Sequence, residues 1–127
     1  YVGQPWRTQE IVDEVLHTLY FNNPDGLSGN EDCGQMSAWY ILNAMGFYQV
    51  CPGKPVYSIG RPLFNEATVH LKDGKSFKVI AHNNSRDNKY VRSIVLNGNK
   101  LETPFFTHQD IVDGGTLELT MGSEPLK

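Results

Sequence analysis

One stretch of the sequence decides the fold, and it reads Gly34-Gln35-Met36-Ser37-Ala38-Trp39-Tyr40-Ile41-Leu42-Asn43-Ala44-Met45-Gly46. It predicts a helix from about Gly34 to Met45, ended by Gly46. Apolar side chains surround almost the whole of this helix, so it needs burial on nearly every side. One neighbouring helix and a sheet could hardly provide that burial. We therefore expect the natural molecule to place more helices around it than this chain contains.

A second predicted helix precedes this one, and only one of its sides is apolar. Thr8 is a suitable N-cap, with Glu10 in the first turn. The apolar side consists of Ile11, Val12, Val15, Leu16, Leu19 and Tyr20. The side expected to face water consists of Gln9, Glu10, Asp13, Glu14 and His17. This pattern is typical of a helix that packs one side on a core.

From about residue 56 the sequence changes from helical periodicity to alternation, which predicts strands. A first hairpin is predicted over residues 68–81, with its tight turn at Asp73-Gly74. A second is predicted around a turn at Asn97-Gly98, with residues 101–106 as its returning strand.

A short helical turn and a last strand follow these hairpins. Residues 107–110 resemble a capping box that opens one turn of helix, and residues 117–121 alternate as a strand. The second part is therefore predicted to be an antiparallel sheet or a small β-sandwich. The predicted fold class is α+β, with the two helices in residues 1–50 and the β-region in residues 51–127.

Composition and charge limit the possible partners. The chain has 127 residues, of which 39% are hydrophobic and 20% charged, and its formal net charge is −3. Because it offers no basic field for a phosphate backbone, nucleic acid and anionic membranes are poor partners, and a neutral or cationic ligand fits better. No stretch approaches the ~20 apolar residues that would cross a bilayer.

Cys33 and Cys51 are expected to be unpaired, because a predicted helix separates them.

The segment that could carry chemistry is the glycine-punctuated loop at residues 24–35, which brings Glu31 and Asp32 to the start of the apolar helix. Amide groups and the dipole at a helix N-terminus favour an ionised carboxylate, so Asp32 could take a proton from water. The more ordinary interpretation is that Asp32 only caps the helix.

Two further hypotheses concern the same loop. Asn30, Glu31 and Asp32 are oxygen donors, but three adjacent donors lack the spaced pattern of a self-contained calcium loop. Cys33 could act as a nucleophile, yet the four histidines lie at uninformative separations. An inert, buried cysteine is therefore favoured.

The loop and the apolar helix also carry a family resemblance. The unbroken run Gly29 to Tyr40, followed by Gly46-Phe47-Tyr48 and Cys51-Pro52-Gly53, resembles the C-terminal part of the glycoside hydrolase family 92 α-mannosidases, which are α-1,2-mannosidase-like. Other segments match the family in the same order along the chain: Gly3-Gln4-Pro5-Trp6, Tyr57-Ser58-Ile59-Gly60, Pro62-Leu63-Phe64, Asn83-Asn84-Ser85, and Thr107-His108 through to Met121-Gly122. The resemblance spans essentially the full length.

This resemblance implies a calcium-dependent, exo-acting, inverting α-mannosidase with an N-terminal β-sandwich and an (α/α)6 barrel. The present chain would be its final portion, with two helices from the end of the barrel followed by the β-region. Asp32 corresponds to the family's general base. Asn30 is expected to hydrogen-bond the sugar, water or metal, and Glu31 to contact the sugar or order the loop. The general acid and most of the calcium site would lie outside this sequence, so the chain alone is expected to be inactive.

The resemblance also implies partners and a location. The substrate would be a mannose-containing glycan, and the location would be secreted, periplasmic or on a bacterial cell surface. The helices would pack on the remainder of the barrel, and without it their apolar surface would favour self-association. The main alternative is a non-catalytic carbohydrate-binding or architectural β-module. A binding module would expose two or three aromatic side chains as a flat platform, drawn from Trp6, Tyr48, Tyr57, Tyr90, Phe105 and Phe106.

Overall fold

The computed structural model describes residues 1–126. In this range the helices are α1 (Pro5–Thr18), α2 (Gln35–Met45) and α3 (His108–Asp113). The strands are β1 (Phe47–Tyr48), β2 (Val56–Ile59), β3 (Glu66–His70), β4 (Ser76–His82), β5 (Tyr90–Leu96), β6 (Asn99–Lys100), β7 (Phe105–Thr107) and β8 (Gly115–Gly122). The predicted α+β fold class is confirmed. Within residues 1–126 no helix combines the length and the apolar character needed to span a membrane.

The strands form two sheets. A small antiparallel sheet has the order β1-β2-β7, and a larger one has the order β3-β4-β8-β5-β6. In the larger sheet β8 runs antiparallel to β5 but parallel to β4, so this sheet is mixed rather than purely antiparallel as predicted. The reason is the connection through β7 and α3, which brings the chain back to the end of the sheet where β4 begins. β8 therefore starts beside the start of β4, with Gly115 opposite Phe77, and the two strands run in the same direction.

Both predicted tight turns are present, and both use left-handed backbone. Asp73 (φ 64°) and Gly74 (φ 73°) lie between the antiparallel strands β3 and β4. Asn97 (φ 49°) and Gly98 (φ 81°) join β5 to β6. Asn and Gly tolerate this conformation better than other residues, which is why the sequence signal was informative.

The returning strand predicted at residues 101–106 is wrong in its extent. β6 has only two residues, and β7 pairs with β2 of the smaller sheet. Pro104 lies between them and lacks an amide hydrogen for a ladder, so it interrupts the hairpin. Its carbonyl accepts a hydrogen bond from the Ile59 amide at 2.8 Å, which directs the chain to the other sheet.

The predicted capping box at the start of α3 is confirmed. The Thr107 amide donates to Asp110 Oδ2 at 2.7 Å, and the Asp110 amide donates to Thr107 Oγ1 at 3.4 Å. Ile111 is buried on the inner side of this short helix, and Gly114 ends it with a φ of 81°. These contacts fix the entry of the chain into β8.

The hydrophobic core joins both sheets and one side of α2. The Phe106 ring of the small sheet stacks on Phe77 of the large sheet, with 5.7 Å between ring centroids. It also meets the Phe47 ring edge-on at 5.4 Å. Leu42 and Met45 of α2 pack against the same core. β1 begins only two residues after the end of α2, and its Phe47 pairs with Ile59 of β2. The chain therefore enters the β-region directly from α2.

Helix α1 differs from its prediction at its start and on its buried side. It begins at Pro5, where a proline suits the first helical position, and Thr8 lies inside the helix rather than at its cap. Gln9 and Asp13, which were expected to face water, are buried. The reason is that Gln9 Oε1 accepts a hydrogen bond from the Val91 amide of β5 at 3.1 Å, while Asp13 pairs with Arg61 at 2.8 Å.

The two long helices expose apolar side chains on the sides that the β-region does not cover. In α1, Val12 and Leu16 are buried, whereas Ile11 is 48% exposed. The helix ends at Thr18, before Leu19 and Tyr20 of its predicted apolar side, and Leu19 is 42% exposed. In α2, which ends at Gly46 as predicted, Ile41 is 56% exposed. The all-round apolar character of α2 is therefore only partly used within this chain, as the sequence indicated.

The ion pair between Asp13 and Arg61 provides a test of this packing. Burial lowers the pKa of the Arg61 guanidinium, and the carboxylate of Asp13 opposes that effect. Replacing Asp13→Ala leaves a buried guanidinium without its counter-charge, which we expect to lower the free energy of unfolding by about 3–5 kcal/mol. Urea unfolding of the purified chain measures this loss.

The matched control is Glu14→Ala, which removes an exposed carboxylate from the next position of α1. We expect it to change the free energy of unfolding by no more than about 0.5 kcal/mol. Equal losses in the two variants would contradict the assigned packing.

Candidate active site

The loop between α1 and α2 is folded tightly before it reaches the candidate residues. Tyr20 and Leu27 form an antiparallel bridge, and the Phe21 amide donates to the Gly26 carbonyl at 2.9 Å. A Cβ at Gly26 would lie 1.8 Å from the Phe21 oxygen, so only glycine fits there. This closed turn delivers the following residues to the start of α2.

Three consecutive residues before α2 have left-handed backbone. The φ angles are 48° at Asp32, 60° at Cys33 and 94° at Gly34. Glycine adopts this conformation freely, but each of the other two residues costs on the order of 1 kcal/mol or more. The surrounding contacts must therefore hold the turn in place.

Glu31 provides those contacts, because it accepts hydrogen bonds from the first three amides of α2. Its carbonyl accepts from the Gln35 amide at 3.0 Å and from the Met36 amide at 3.4 Å. Its carboxylate oxygen Oε1 accepts from the Ser37 amide at 3.3 Å and from the Ser37 hydroxyl at 2.7 Å. One residue thus satisfies the donors that a helix N-terminus ordinarily leaves free.

Asp32 lies differently from its neighbour. Its side chain is exposed and accepts no hydrogen bond from the first turn of α2, although its carbonyl accepts one from the Gln35 amide at 3.4 Å. Simple capping by Asp32, the ordinary interpretation of the sequence, is therefore not what this geometry shows. Asn30 is exposed as well, so the structure places Asn30 and Asp32 at the surface and turns Glu31 inward.

An aromatic cluster lies beside Glu31. The Tyr20 hydroxyl donates to the Met36 carbonyl at 3.2 Å, and the Tyr20 ring stacks on Trp39 with 5.7 Å between centroids and an angle of 9°. Burial raises the pKa of the Tyr20 phenol, and the negative charge of Glu31 raises it further. The phenol therefore remains a neutral hydrogen-bond donor that holds the first turn of α2.

A groove of about 460 Å³ runs between this loop and α2. Its walls are mainly apolar and aromatic, with Phe21 and Leu27 from the loop and Tyr40 and Ile41 from the helix. Ser37, which holds Glu31, also lines it. The groove is therefore next to the residues that fix the turn.

The candidate metal ligands do not form a calcium site by themselves. Within residues 1–126 no group of three or more His, Cys, Asp or Glu side chains lies close enough to hold a metal ion. One oxygen, Glu31 Oε2, is buried without a hydrogen-bond partner among these residues. It is a donor of the type calcium prefers, but calcium takes six to eight such ligands, and we assign none here.

Three of the histidines contact residues outside the loop, and Cys33 is the only cysteine within it. His17 contacts Asp13, His82 contacts Glu118 and His108 contacts Tyr57. Cys33 and Cys51 are both free, which confirms that they are unpaired. The expectation that Cys33 is buried is wrong, because Cys33 lies exposed in the turn before α2.

Sequence reasoning missed the two residues that support the turn. Tyr20 belongs to the apolar side of the first predicted helix, and nothing in the sequence around Ser37 indicates a role for it. The Glu31 to Ser37 spacing of six residues does not match the capping-box pattern, so no familiar signal identified this contact.

Comparison with known proteins identifies the family of the chain. The sequence model of one protein family, described as the glycosyl hydrolase family 92 catalytic domain, matches residues 1–123. A family 92 inverting mannosidase from Bacteroides thetaiotaomicron has 48% sequence identity and a TM-score of 0.90 over 98% of this chain. A family 92 α-mannosidase from the same bacterium has 42% identity and a TM-score of 0.89 over 95% of this chain.

A curated relative agrees with these structures. It is described as an uncharacterized secreted glycosidase of Arthroderma benhamiae, and it is 29% identical over 98% of this chain. The chain spans only 17%, 16% and 16% of the lengths of the three relatives. Because the family match nonetheless covers nearly all of its residues, the resemblance read from the sequence is confirmed, and the chain belongs to glycosyl hydrolase family 92.

Proposed function

We propose that this chain contributes the general base to a calcium-dependent, exo-acting, inverting α-mannosidase, and that Asp32 is that base. The observation that carries the proposal is the contrast between two adjacent carboxylates. Glu31 is turned inward and bonded to α2, whereas Asp32 is exposed and its carboxylate accepts no hydrogen bond from the first turn of α2. An exposed carboxylate on a constrained turn is available to a water molecule.

Asp32 would act on the water that attacks the sugar. In an inverting reaction the base takes a proton from this water, while its oxygen attacks the anomeric carbon on the side opposite the leaving group. A general acid protonates the departing oxygen, and the two carboxyl groups stand roughly 6.5–9.5 Å apart to admit the water. Glu31 is bonded to Ser37 and does not serve as that acid, so we place the acid elsewhere in the enzyme.

Calcium belongs to the proposal for the whole enzyme only. When bound, such an ion would hold sugar hydroxyl groups and help distort the ring. Since no ligand is assigned within residues 1–126, no step of the mechanism depends on it here. Asn30 is exposed beside Asp32 and would hydrogen-bond the sugar or the attacking water.

The fold of the chain is consistent with an active site that is shared between this chain and the rest of the enzyme. Residues 1–50 would supply terminal helices of an (α/α)6 barrel with the loop at 24–35, and residues 51–127 would form the β-region packed on them. We propose that the exposed apolar side chains of α1 and α2 pack on the rest of that barrel. The substrate would be a mannose-rich glycan, met at a secreted, periplasmic or cell-surface location.

The alternative of a carbohydrate-binding module has less support. Of the six aromatic residues that could form a platform, Tyr90 and Phe106 are buried, and Trp6, Tyr48, Tyr57 and Phe105 are partly buried. Tyr57 stacks on Phe106 at 5.4 Å, next to the core. These rings therefore serve packing rather than a flat exposed surface.

The base assignment is tested in the whole enzyme by Asp32→Asn. We expect kcat for mannose release to fall by about 10²- to 10⁴-fold, because a positioned base contributes that much, while binding of the sugar is retained. Azide added to Asp32→Ala should restore turnover and yield β-mannosyl azide, since the anion attacks the anomeric carbon without needing a base. Near-normal turnover in Asp32→Asn would end the assignment.

The chain by itself is expected to be inactive, because it lacks an assigned general acid. Purified residues 1–127 should release no mannose from α-linked mannobiose, with or without added calcium. The whole enzyme provides the positive control in the same assay. Calcium-dependent release by the 127-residue chain would contradict the proposed division of the active site.

The proposed barrel-facing surface is tested by self-association of the isolated chain. Phe21 and Ile41 are 58% and 56% exposed beside the groove, so we expect mass in light scattering to rise with concentration. Phe21→Ser with Ile41→Gln should reduce this rise. Phe64→Ser is the matched control, because Phe64 is 52% exposed but does not line the groove. Monomeric behaviour of the unaltered chain at high concentration would count against the surface.

A further inference from the structure

We propose that Glu31 is a positioning residue, which fixes the carboxylate of Asp32 by bonding to Ser37. The inference rests on the proposed function, because it assigns Glu31 a role in the reaction that Asp32 carries out. Of the two roles that the family resemblance implied for Glu31, it favours ordering the loop over contacting the sugar.

The first argument is that the Glu31 carboxylate is already engaged or covered. Oε1 accepts two hydrogen bonds from Ser37, at 2.7 Å from the hydroxyl and 3.3 Å from the amide. Oε2 is buried. Because Oε1 is bonded to Ser37 and Oε2 is buried, a sugar hydroxyl would have to compete with these contacts, whereas the Asp32 side chain is exposed.

The second argument concerns the backbone that carries Asp32. Asp32 and Cys33 have φ angles of 48° and 60°, in a region that residues other than glycine occupy only when neighbouring contacts impose it. Glu31 directly precedes them, and its carbonyl and carboxylate are both tied to the first turn of α2. If these contacts were lost, the two residues would be free to return to right-handed backbone. The Asp32 carboxylate would then move away from the attacking water.

The third argument is that the anchor is rigid. Ser37 lies in the first turn of α2, which is also held by the hydrogen bond from the Tyr20 hydroxyl to the Met36 carbonyl at 3.2 Å. The Tyr20 ring in turn packs on Trp39 and Tyr40. A turn that is bonded to this rigid assembly is held in a fixed position. A general base needs a fixed position because catalysis is sensitive to small displacements.

The test uses the whole enzyme, with Glu31→Ala, Ser37→Ala and the double variant assayed on α-linked mannobiose. We expect Glu31→Ala to lower kcat by about 10- to 100-fold, with KM unchanged to within about twofold. Because the two side chains act as one unit, the double variant should be no slower than Glu31→Ala. The acidic limb of the pH profile should persist in every variant, because Asp32 is intact. Glu14→Ala, which removes an exposed carboxylate from α1, is the matched control.

Several outcomes would overturn the inference. A raised KM with normal kcat would make Glu31 a sugar ligand, and additive losses in the double variant would remove the link to Ser37. Loss of the acidic limb, or azide rescue of Glu31→Ala, would make Glu31 itself the base. If Glu31→Ala does not fold, Ser37→Ala decides alone, since normal kcat in that variant contradicts the proposal. Turnover of Asp32→Asn is measured in parallel, so that failure of the base assignment is distinguished from failure of the positioning role.

Discussion

The hydrogen bonds between Glu31 and the first turn of α2 are the contacts on which the rest of the site depends. A helix that begins after three left-handed residues, with a glycine at its N-cap, has no ordinary side-chain cap for its first amides. Glu31 accepts from all three of these amides, through its carbonyl and its carboxylate. The same contacts divide two neighbouring acids into an inner residue with a structural role and an outer residue that is open to solvent.

The β-region matters to this site because it packs against both helices and fixes their positions. α2 continues directly through Gly46 into β1, and a Cβ at Gly46 would lie only 3.1 Å from Pro62 Cβ. α1 is tied to β5 by Gln9 and to the following loops by the ion pair of Asp13 with Arg61, whose guanidinium also donates to the Ser85 carbonyl at 3.0 Å. The loop between the helices is therefore supported at both of its ends.

Much of the fold could be predicted from local signals, and the errors share a physical cause. The turns at Asp73-Gly74 and Asn97-Gly98, the capping box at Thr107 and the end of α2 at Gly46 depend on a few adjacent residues. The buried polar side of α1 and the parallel pairing of β8 with β4 depend on partners far away in the sequence. Gln9 resembles a surface residue until its partner, the Val91 amide, is known.

The candidate site shows the same division. The loop and its carboxylates were identified from the sequence, since glycines and acids before an apolar helix are visible there. Which carboxylate turns inward could not be predicted, because it follows from left-handed angles at Asp32 and Cys33 and from the hydroxyl of Ser37. The most direct measurement is a crystal structure of the whole enzyme with a mannose-like inhibitor bound. It should show an Asp32 oxygen about 2.6–3.2 Å from a water on the side of the anomeric carbon opposite the leaving group. A different carboxylate on that water, with Asp32 turned away from the sugar, would contradict the account.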